Sequence, residues 1–186
     1  MTRFQRLMAG YFAVVIPLTV VYLTIPSRRD VTWAAIGLAG VCAILLGVRL
    51  NRPTHRWPWL VLAAANLTFT AGDTTYNILN TVFNQQNPFP SLGDAFYLAT
   101  YPLFAIGLFG FIRYRTTGRD LASLLDALIL ASGLALLSWV YLITPYTQAA
   151  DMTWEQKVIS VAYPLGDVLM LAMLARLLTP SGLRSR

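Results

Sequence analysis

The sequence predicts an all-α membrane protein, a polytopic bundle of about six transmembrane helices. Of its 186 residues 56% are hydrophobic and only 12% are charged, against about 25% charged in an average soluble domain. The mean hydropathy of +0.57 indicates a chain whose apolar groups face lipid. Six apolar runs are each long enough to cross a bilayer as a helix. The runs are 8–25, 31–50, 57–80, 92–112, 120–144 and 154–178, within a single transmembrane domain covering 1–186.

The first two runs predict an anchor helix followed by a closely packed structural helix. The first follows Arg3 and Arg6 as in a signal peptide, but it lacks a small-x-small cleavage site, which favours a retained helix. The second carries small residues that allow close helix packing. These are Gly37, Gly40 and Gly47.

The third run carries a polar stripe. Its members recur at steps of four, three, four and three, which places them on one face of a helix. They are Asn66, Thr70, Asp73, Asn77 and Asn80. Because an ionised aspartate costs several kcal/mol at bilayer depth, this face must contact protein or a wet cavity.

The fourth and fifth runs each contain a carboxylate with a structural explanation. Ser91-x-x-Asp94 is a capping-box pattern at a helix start, and this role competes evenly with a functional one. Asp126 lies about two turns from the end of its helix, where an ion pair with Arg115 or Arg119 is expected.

The sixth run contains Asp167, about 13 residues or roughly 20 Å into its helix. Pro164, one turn earlier, removes a backbone hydrogen bond and predicts a hinge. Ser160 and Tyr163 share the face of Asp167, and Thr153-x-x-Gln156 predicts a second capping box before them.

A short internal repeat links the fourth and sixth runs. Leu-Gly-Asp occurs at 92–94 and again at 165–167, and Tyr-Pro-Leu occurs at 101–103 and 163–165. Both Leu-Gly-Asp copies fall on helices that run in the same direction, as a parallel duplication of helix hairpins predicts.

These polar groups suggest one cavity that opens outward, with its floor near Asp167. An alternative, equally compatible with the pattern, is a set of interhelical hydrogen bonds that hold a bundle together. The candidate ligand or proton site comprises Asp73, Asp94, Asp167, Asn66, Asn77, Tyr76, Tyr97, Tyr101 and Tyr163. The proline-bearing segment 81–91 is either a lid over this cavity or an ordinary turn.

The charge distribution predicts the topology. Eleven of the 14 cationic residues fall on one side if the N-terminus is inside, so both termini are expected in the cytoplasm. The net charge of +6 therefore reflects topology, and no nucleic-acid partner is expected. Trp33, Trp57, Trp59 and Trp154 lie near helix ends, as in an interfacial belt.

No pattern in the chain predicts catalysis, a metal or a cofactor. Cys42 and His55 are each the sole residue of their type, which excludes an intrachain disulfide and a Cys or His metal cluster. No P-loop, metalloprotease motif or nucleophile elbow occurs. Ser91 and Pro164 stand where an intramembrane aspartyl protease carries the first glycine of Gly-x-Gly-Asp.

Several segments together resemble a known bacterial membrane region. They are GDTTYN, PFPSLGDAFYLATYPLFAIGL, DLASLLDALIL…SWVYLITP and YPLGDVLMLAMLARL, covering roughly 57–178. The arrangement is similar to the multi-span N-terminal regions of actinobacterial signalling proteins that carry cytoplasmic GGDEF and EAL domains. The chain contains neither catalytic motif, so no enzymatic residue carries over.

The resemblance implies a sensory input module for cyclic-di-GMP turnover in a bacterial plasma membrane. Its expected partners are the lipid bilayer, a small extracellular ligand and a cytoplasmic signalling domain, and a homodimer is left open. A small transporter coupled to protons or a solute is the alternative, since membrane carboxylates and a repeat also suit one. A structural membrane subunit is the third interpretation.

Overall fold

The computed structural model describes residues 3–115 and 121–178, and within them the side chains of 5–114 and 125–178. All regular structure in these residues is helical, which confirms the all-α class. The helices are α1 (Arg3–Thr24), α2 (Arg29–Asn51), α3 (Trp57–Thr81), α4 (Leu92–Arg115), α5 (Leu121–Ser138), α6 (Thr144–Gln148) and α7 (Trp154–Leu178). A 3₁₀ turn at Pro26–Arg28 precedes α2, and a π-helical turn at Trp139–Ile143 joins α5 to α6.

Five helical segments among the described residues are long and apolar enough to cross a membrane, so this is a membrane protein. The exception is α3, which has 25 residues but carries the polar stripe. Its length suits a span, whereas its composition requires protein around it. Six spans were predicted, and length and composition together support five.

The long helices lie side by side in the order α1, α2, α3, α4, α7, α5, as an open row in the described part of the chain. The sequence predicted a helix bundle but not the order in which its helices pack. Segments 25–28, 82–91 and 149–153 lie at one end of this row, which we call the loop end. The opposite end, with Arg49, Arg52, Arg56 and Arg113, is the arginine end; its cytoplasmic location remains a prediction.

Glycines set the close approach of α3 to both neighbours. A Cβ at Gly37 of α2 would overlap the Thr70 hydroxyl, and one at Gly72 would lie 2.9 Å from the ring of Tyr97. The predicted packing role is thus confirmed at Gly37 but wrong at Gly47, where a Cβ would meet no atom within 4 Å. Thr70 and Asn66 of the polar stripe consequently pack against Gly37 and Gly40 of α2.

Helices α4 and α7 run parallel. Gln156 Nε2 donates to the Phe89 carbonyl at 3.3 Å at the loop end, and further contacts follow in the same direction along both helices. Parallel neighbours cannot be joined by a tight turn, and here α5 and α6 provide the return path. This orientation agrees with the parallel repeat predicted from the sequence.

Both predicted capping boxes are confirmed. The Ser91 amide and hydroxyl both donate to Asp94 Oδ2, at 2.7 and 3.0 Å. The Thr153 amide donates to Gln156 Oε1 at 2.9 Å, and the Gln156 amide donates to Thr153 Oγ1 at 3.4 Å. These bonds satisfy backbone donors that a helix start leaves unpaired.

The π-helical turn lies just before a proline. Pro145 has no amide hydrogen, and its ring would crowd the carbonyl one α-turn earlier, at Tyr141. A wider turn relieves that crowding, and the amide and hydroxyl of Thr144 both reach the Trp139 carbonyl. The π-helical turn directs the Ile143 side chain into the protein, where it is 2% exposed.

The joint between α3 and α4 at the arginine end offers a packing test. A Cβ at Gly110 would lie 2.6 Å from the indole of Trp57 and 2.7 Å from the ring of Pro58. We expect Gly110→Ala to destabilise the protein by about 1–3 kcal/mol through overpacking. The control Gly133→Ala meets open space and should be neutral or slightly stabilising. Thermal unfolding in one detergent compares them; equal midpoints would contradict the packing described.

Candidate functional site

Each of the three carboxylates in the predicted site accepts a hydrogen bond from a tyrosine of a neighbouring helix. The pairs are Tyr97–Asp73 at 2.6 Å, Tyr163–Asp94 at 2.6 Å and Tyr101–Asp167 at 2.9 Å. In each case the tyrosine hydroxyl donates to Oδ1. The structure thus brings the predicted tyrosines and aspartates together across helices, as three separate pairs.

Asp73 joins three helices. Its Oδ1 accepts from Tyr97 of α4, while its Oδ2 accepts from the indole Nε1 of Trp33 on α2. Sequence reasoning assigned Trp33 to an interfacial belt and missed this contact. The sequence did indicate that the two residues lie at a similar depth in the membrane. Trp33 is near the start of α2 and Asp73 is near the end of α3, so both lie toward the loop end.

Asp94 has the capping role that the sequence offered, and it also makes a hydrogen bond to a neighbouring helix. Its Oδ2 holds the capping box with Ser91, and its Oδ1 accepts from Tyr163 of α7. The residue is 7% exposed. Both oxygens are therefore used by the protein, which indicates a structural joint between α4 and α7.

Asp167 differs from the other two because only one of its oxygens has a protein donor. Its Oδ1 accepts from Tyr101, and its Oδ2 accepts none from the described residues. A Cβ at the preceding Gly166 would lie 2.5 Å from the Tyr101 ring. Glycine there lets the ring lie against α7 and reach the carboxylate.

The internal repeat pairs with itself across α4 and α7. Asp94 of the first Leu-Gly-Asp binds Tyr163 of the second Tyr-Pro-Leu, and Asp167 of the second Leu-Gly-Asp binds Tyr101 of the first Tyr-Pro-Leu. The two motifs occur in opposite order on the two parallel helices, so each aspartate meets a tyrosine. The repeated motifs therefore form the interface between α4 and α7.

A cavity of about 530 Å³ lies beside α7 and extends from the loop end to Asp167; we call it the α7 cavity. Its lining combines three hydroxyls and one carboxylate with apolar groups. The lining residues are Phe89, Leu142, Tyr146, Met152, Ser160, Tyr163, Pro164 and Asp167. Phe89 belongs to the segment considered as a lid, and it forms part of the wall near the mouth.

A second cavity, of about 260 Å³, lies among α1, α2 and α3; we call it the α2–α3 cavity. It contains the half of the polar stripe that lies farther from the loop end, and three aromatic side chains. The lining residues are Tyr11, Trp33, Ile36, Gly37, Gly40, Asn66, Phe69, Thr70 and Asp73.

The single cavity predicted from the sequence is therefore wrong. Asp73 and Asp167 line different cavities, and Asp94, Tyr97 and Tyr101 line neither. The physical reason is the open row. Helices α3 and α4 pack closely, with Gly72 against the Tyr97 ring, and these two cavities lie on the outer sides of the pair.

The remaining candidate residues have different surroundings. Asn66 lines the α2–α3 cavity. Asn77 is half-buried, and its side chain lines neither cavity. Tyr76 donates to Asn87 Oδ1 at 3.1 Å and ties the 82–91 segment to α3. Pro164, the predicted hinge, is buried in the wall of the α7 cavity.

The predicted ion pair falls largely outside the described residues. Arg119 and the side chain of Arg115 lie in the part that the structure does not describe, whereas Asp126 is exposed on α5.

At the arginine end, His55 stacks on Tyr114 at a ring distance of 3.5 Å. The described residues hold no group of three or more His, Cys, Asp or Glu side chains suited to a metal.

Comparisons with protein-family models, with curated proteins and with solved structures found no match to this chain. Function is therefore argued from the carboxylate–tyrosine pairs and the two cavities.

The strength of the pairs can be measured at Tyr163. We expect Tyr163→Phe to cost about 0.6–2 kcal/mol, because it removes the donor to Asp94 and leaves that buried oxygen unpaired. The control is Tyr141→Phe, since Tyr141 is 72% exposed and makes no hydrogen bond in the described residues. Unfolding by denaturant in mixed micelles compares the two; equal stabilities would show that the bond contributes nothing.

Proposed function

We propose that this protein is a membrane sensory module in which a ligand in the α7 cavity controls the Tyr101–Asp167 hydrogen bond. The observation that carries the proposal is the position of Asp167. It lines the cavity, it bonds to α4 through one oxygen, and its other oxygen has no donor in the described residues. A ligand that binds this carboxylate competes directly with a helix contact.

The cavity lining suggests the chemistry of the ligand. Ser160 and Tyr163 offer hydroxyls, and Asp167 accepts hydrogen bonds, while Phe89 and Leu142 supply apolar surface. These groups suit a small molecule with an apolar body and at least one hydrogen-bond donor. On the topology predicted from the charges, such a molecule enters from outside the cell.

The coupling follows from how few bonds hold α7 to α4. Two carboxylate–tyrosine pairs join them along the parallel contact. Interhelical bonds of this kind contribute roughly 0.6–2 kcal/mol each, and about 1.4 kcal/mol is a tenfold change in an equilibrium. A ligand that replaces one of these bonds can therefore change the equilibrium between two positions of α7 about tenfold. Pro164 would act as the hinge.

The resemblance to actinobacterial signalling proteins supplies the proposed output. Movement of α7 at the arginine end would regulate a cytoplasmic domain or partner that makes or degrades cyclic-di-GMP. The protein itself would act without catalysis, in a bacterial plasma membrane.

Two substitutions are expected to change the output in opposite directions. Asn at 167 keeps an oxygen acceptor for Tyr101 but lacks the charge, so Asp167→Asn should remove the response while membrane insertion persists. Tyr101→Phe breaks the same bond and should mimic the ligand. Cellular cyclic-di-GMP, measured with each variant in the native gene, tests this.

The control for this experiment is Asp151→Asn, because Asp151 is exposed in the turn before α7. It should behave as the unaltered protein. If Asp167→Asn and Tyr101→Phe both leave cyclic-di-GMP unchanged, the assignment of the site and its output is wrong.

A small transporter is the second candidate, favoured by the presence of carboxylates in two separate cavities. We expect no proton flux in proteoliposomes under an imposed pH gradient, for the unaltered protein or for Asp73→Asn. Flux that requires Asp73 or Asp167 would instead establish transport. A purely structural subunit would show neither flux nor signalling, and both substitutions would change stability alone.

A further inference from the structure

The α2–α3 cavity has no part in the proposed sensory mechanism, yet its wall is not that of a packing gap. It holds a carboxylate, an amide and three aromatic rings within about 260 Å³. A gap left between apolar helices would be lined by aliphatic groups and would need no polar residue at this depth.

The carboxylate of Asp73 is oriented but not neutralised. Trp33 and Tyr97 each donate to one of its oxygens, and both donors are uncharged. In the described residues it has no cationic partner. An ionised carboxylate within a membrane is costly unless a cation or solvent compensates it, so this site favours a positive charge.

The aromatic rings favour an organic cation over a metal ion. Tyr11, Trp33 and Phe69 form part of the wall around Asp73, and aromatic faces attract ammonium groups. A calcium ion would need about six to eight oxygen ligands. Among the described side chains no acidic cluster of that kind is present.

Asn66 provides a second anchor deeper in the same cavity. It lies seven residues before Asp73, about 10 Å along the helix axis. Its side-chain amide makes no hydrogen bond in the described residues, although unpaired amides are costly away from water. Gly40 faces it, and a Cβ there would lie 2.7 Å from Asn66 Nδ2; glycine preserves the space beside the amide.

We propose that the α2–α3 cavity binds a small organic ammonium ion, with its charged nitrogen at Asp73 and a second hydrogen-bonding group at Asn66. The volume limits the occupant to about the size of one aromatic ring with a short chain, since drug-sized ligands use pockets of about 300–1,000 Å³.

Three probes test the charge and the second anchor on the full chain in lipid nanodiscs. They are phenethylammonium, its neutral counterpart 2-phenylethanol, and 4-hydroxyphenethylammonium. Phenethylammonium should bind at least about tenfold tighter than 2-phenylethanol, as a charged hydrogen bond implies. The added hydroxyl should tighten binding by a further roughly threefold to tenfold. Equal affinities of the first two probes, or no saturable binding of either ammonium ion, would overturn the proposal.

Three variants locate the site. Asp73→Asn should reduce phenethylammonium binding to the level of 2-phenylethanol, whereas the control Asp151→Asn, in the exposed turn before α7, should leave it unchanged. Asn66→Ala should abolish only the advantage of the added hydroxyl. An unchanged affinity in Asp73→Asn, or equal losses in both aspartate variants, would refute the assignment.

The outcome is independent of the sensory proposal. Should Asp73→Asn fail to fold, the probe comparison on the unaltered protein and the Asn66→Ala variant still decide the question. Ammonium binding that requires Asp73 would stand even if Asp167→Asn had normal signalling.

Discussion

The hydrogen bond from a tyrosine hydroxyl to an aspartate on the next helix is the interaction on which this structure depends. Lipid is as apolar as a leucine side chain, so apolar contact alone does not drive helices together in a membrane. A carboxylate at that depth, by contrast, strongly requires a partner. Asp73, Asp94 and Asp167 each have one, and the three bonds determine how α3, α4 and α7 lie side by side.

Close approach makes these bonds geometrically feasible. Tyr97 reaches Asp73 where Gly72 admits its ring, and Tyr101 reaches Asp167 across Gly166. Glycines at these helix interfaces thus allow interhelical hydrogen bonds as well as close packing. Helices α3 and α4 are one such closely packed pair, and the two cavities lie on its outer sides.

The two cavities differ in what their carboxylates still lack. In the α7 cavity one oxygen of Asp167 has no donor among the described residues, and the bond to its other oxygen holds two helices together. In the α2–α3 cavity Asp73 has donors on both oxygens but no cationic partner in the part of the chain that the structure describes. The first arrangement suits a switch between neighbouring helices, and the second suits capture of a cation without helix rearrangement.

Local properties of the sequence determined the helices, the capping boxes at Ser91 and Thr153, and the polar faces that meet one another. Hydropathy, periodicity and cap chemistry act within a few residues, so the chain itself carries that information. Only the tertiary structure decided that Asp94 meets Tyr163, that Trp33 binds Asp73, and that one expected cavity is two. Those outcomes depend on helix order in an open row and on where glycines permit contact, and neither follows from the pattern of any single helix.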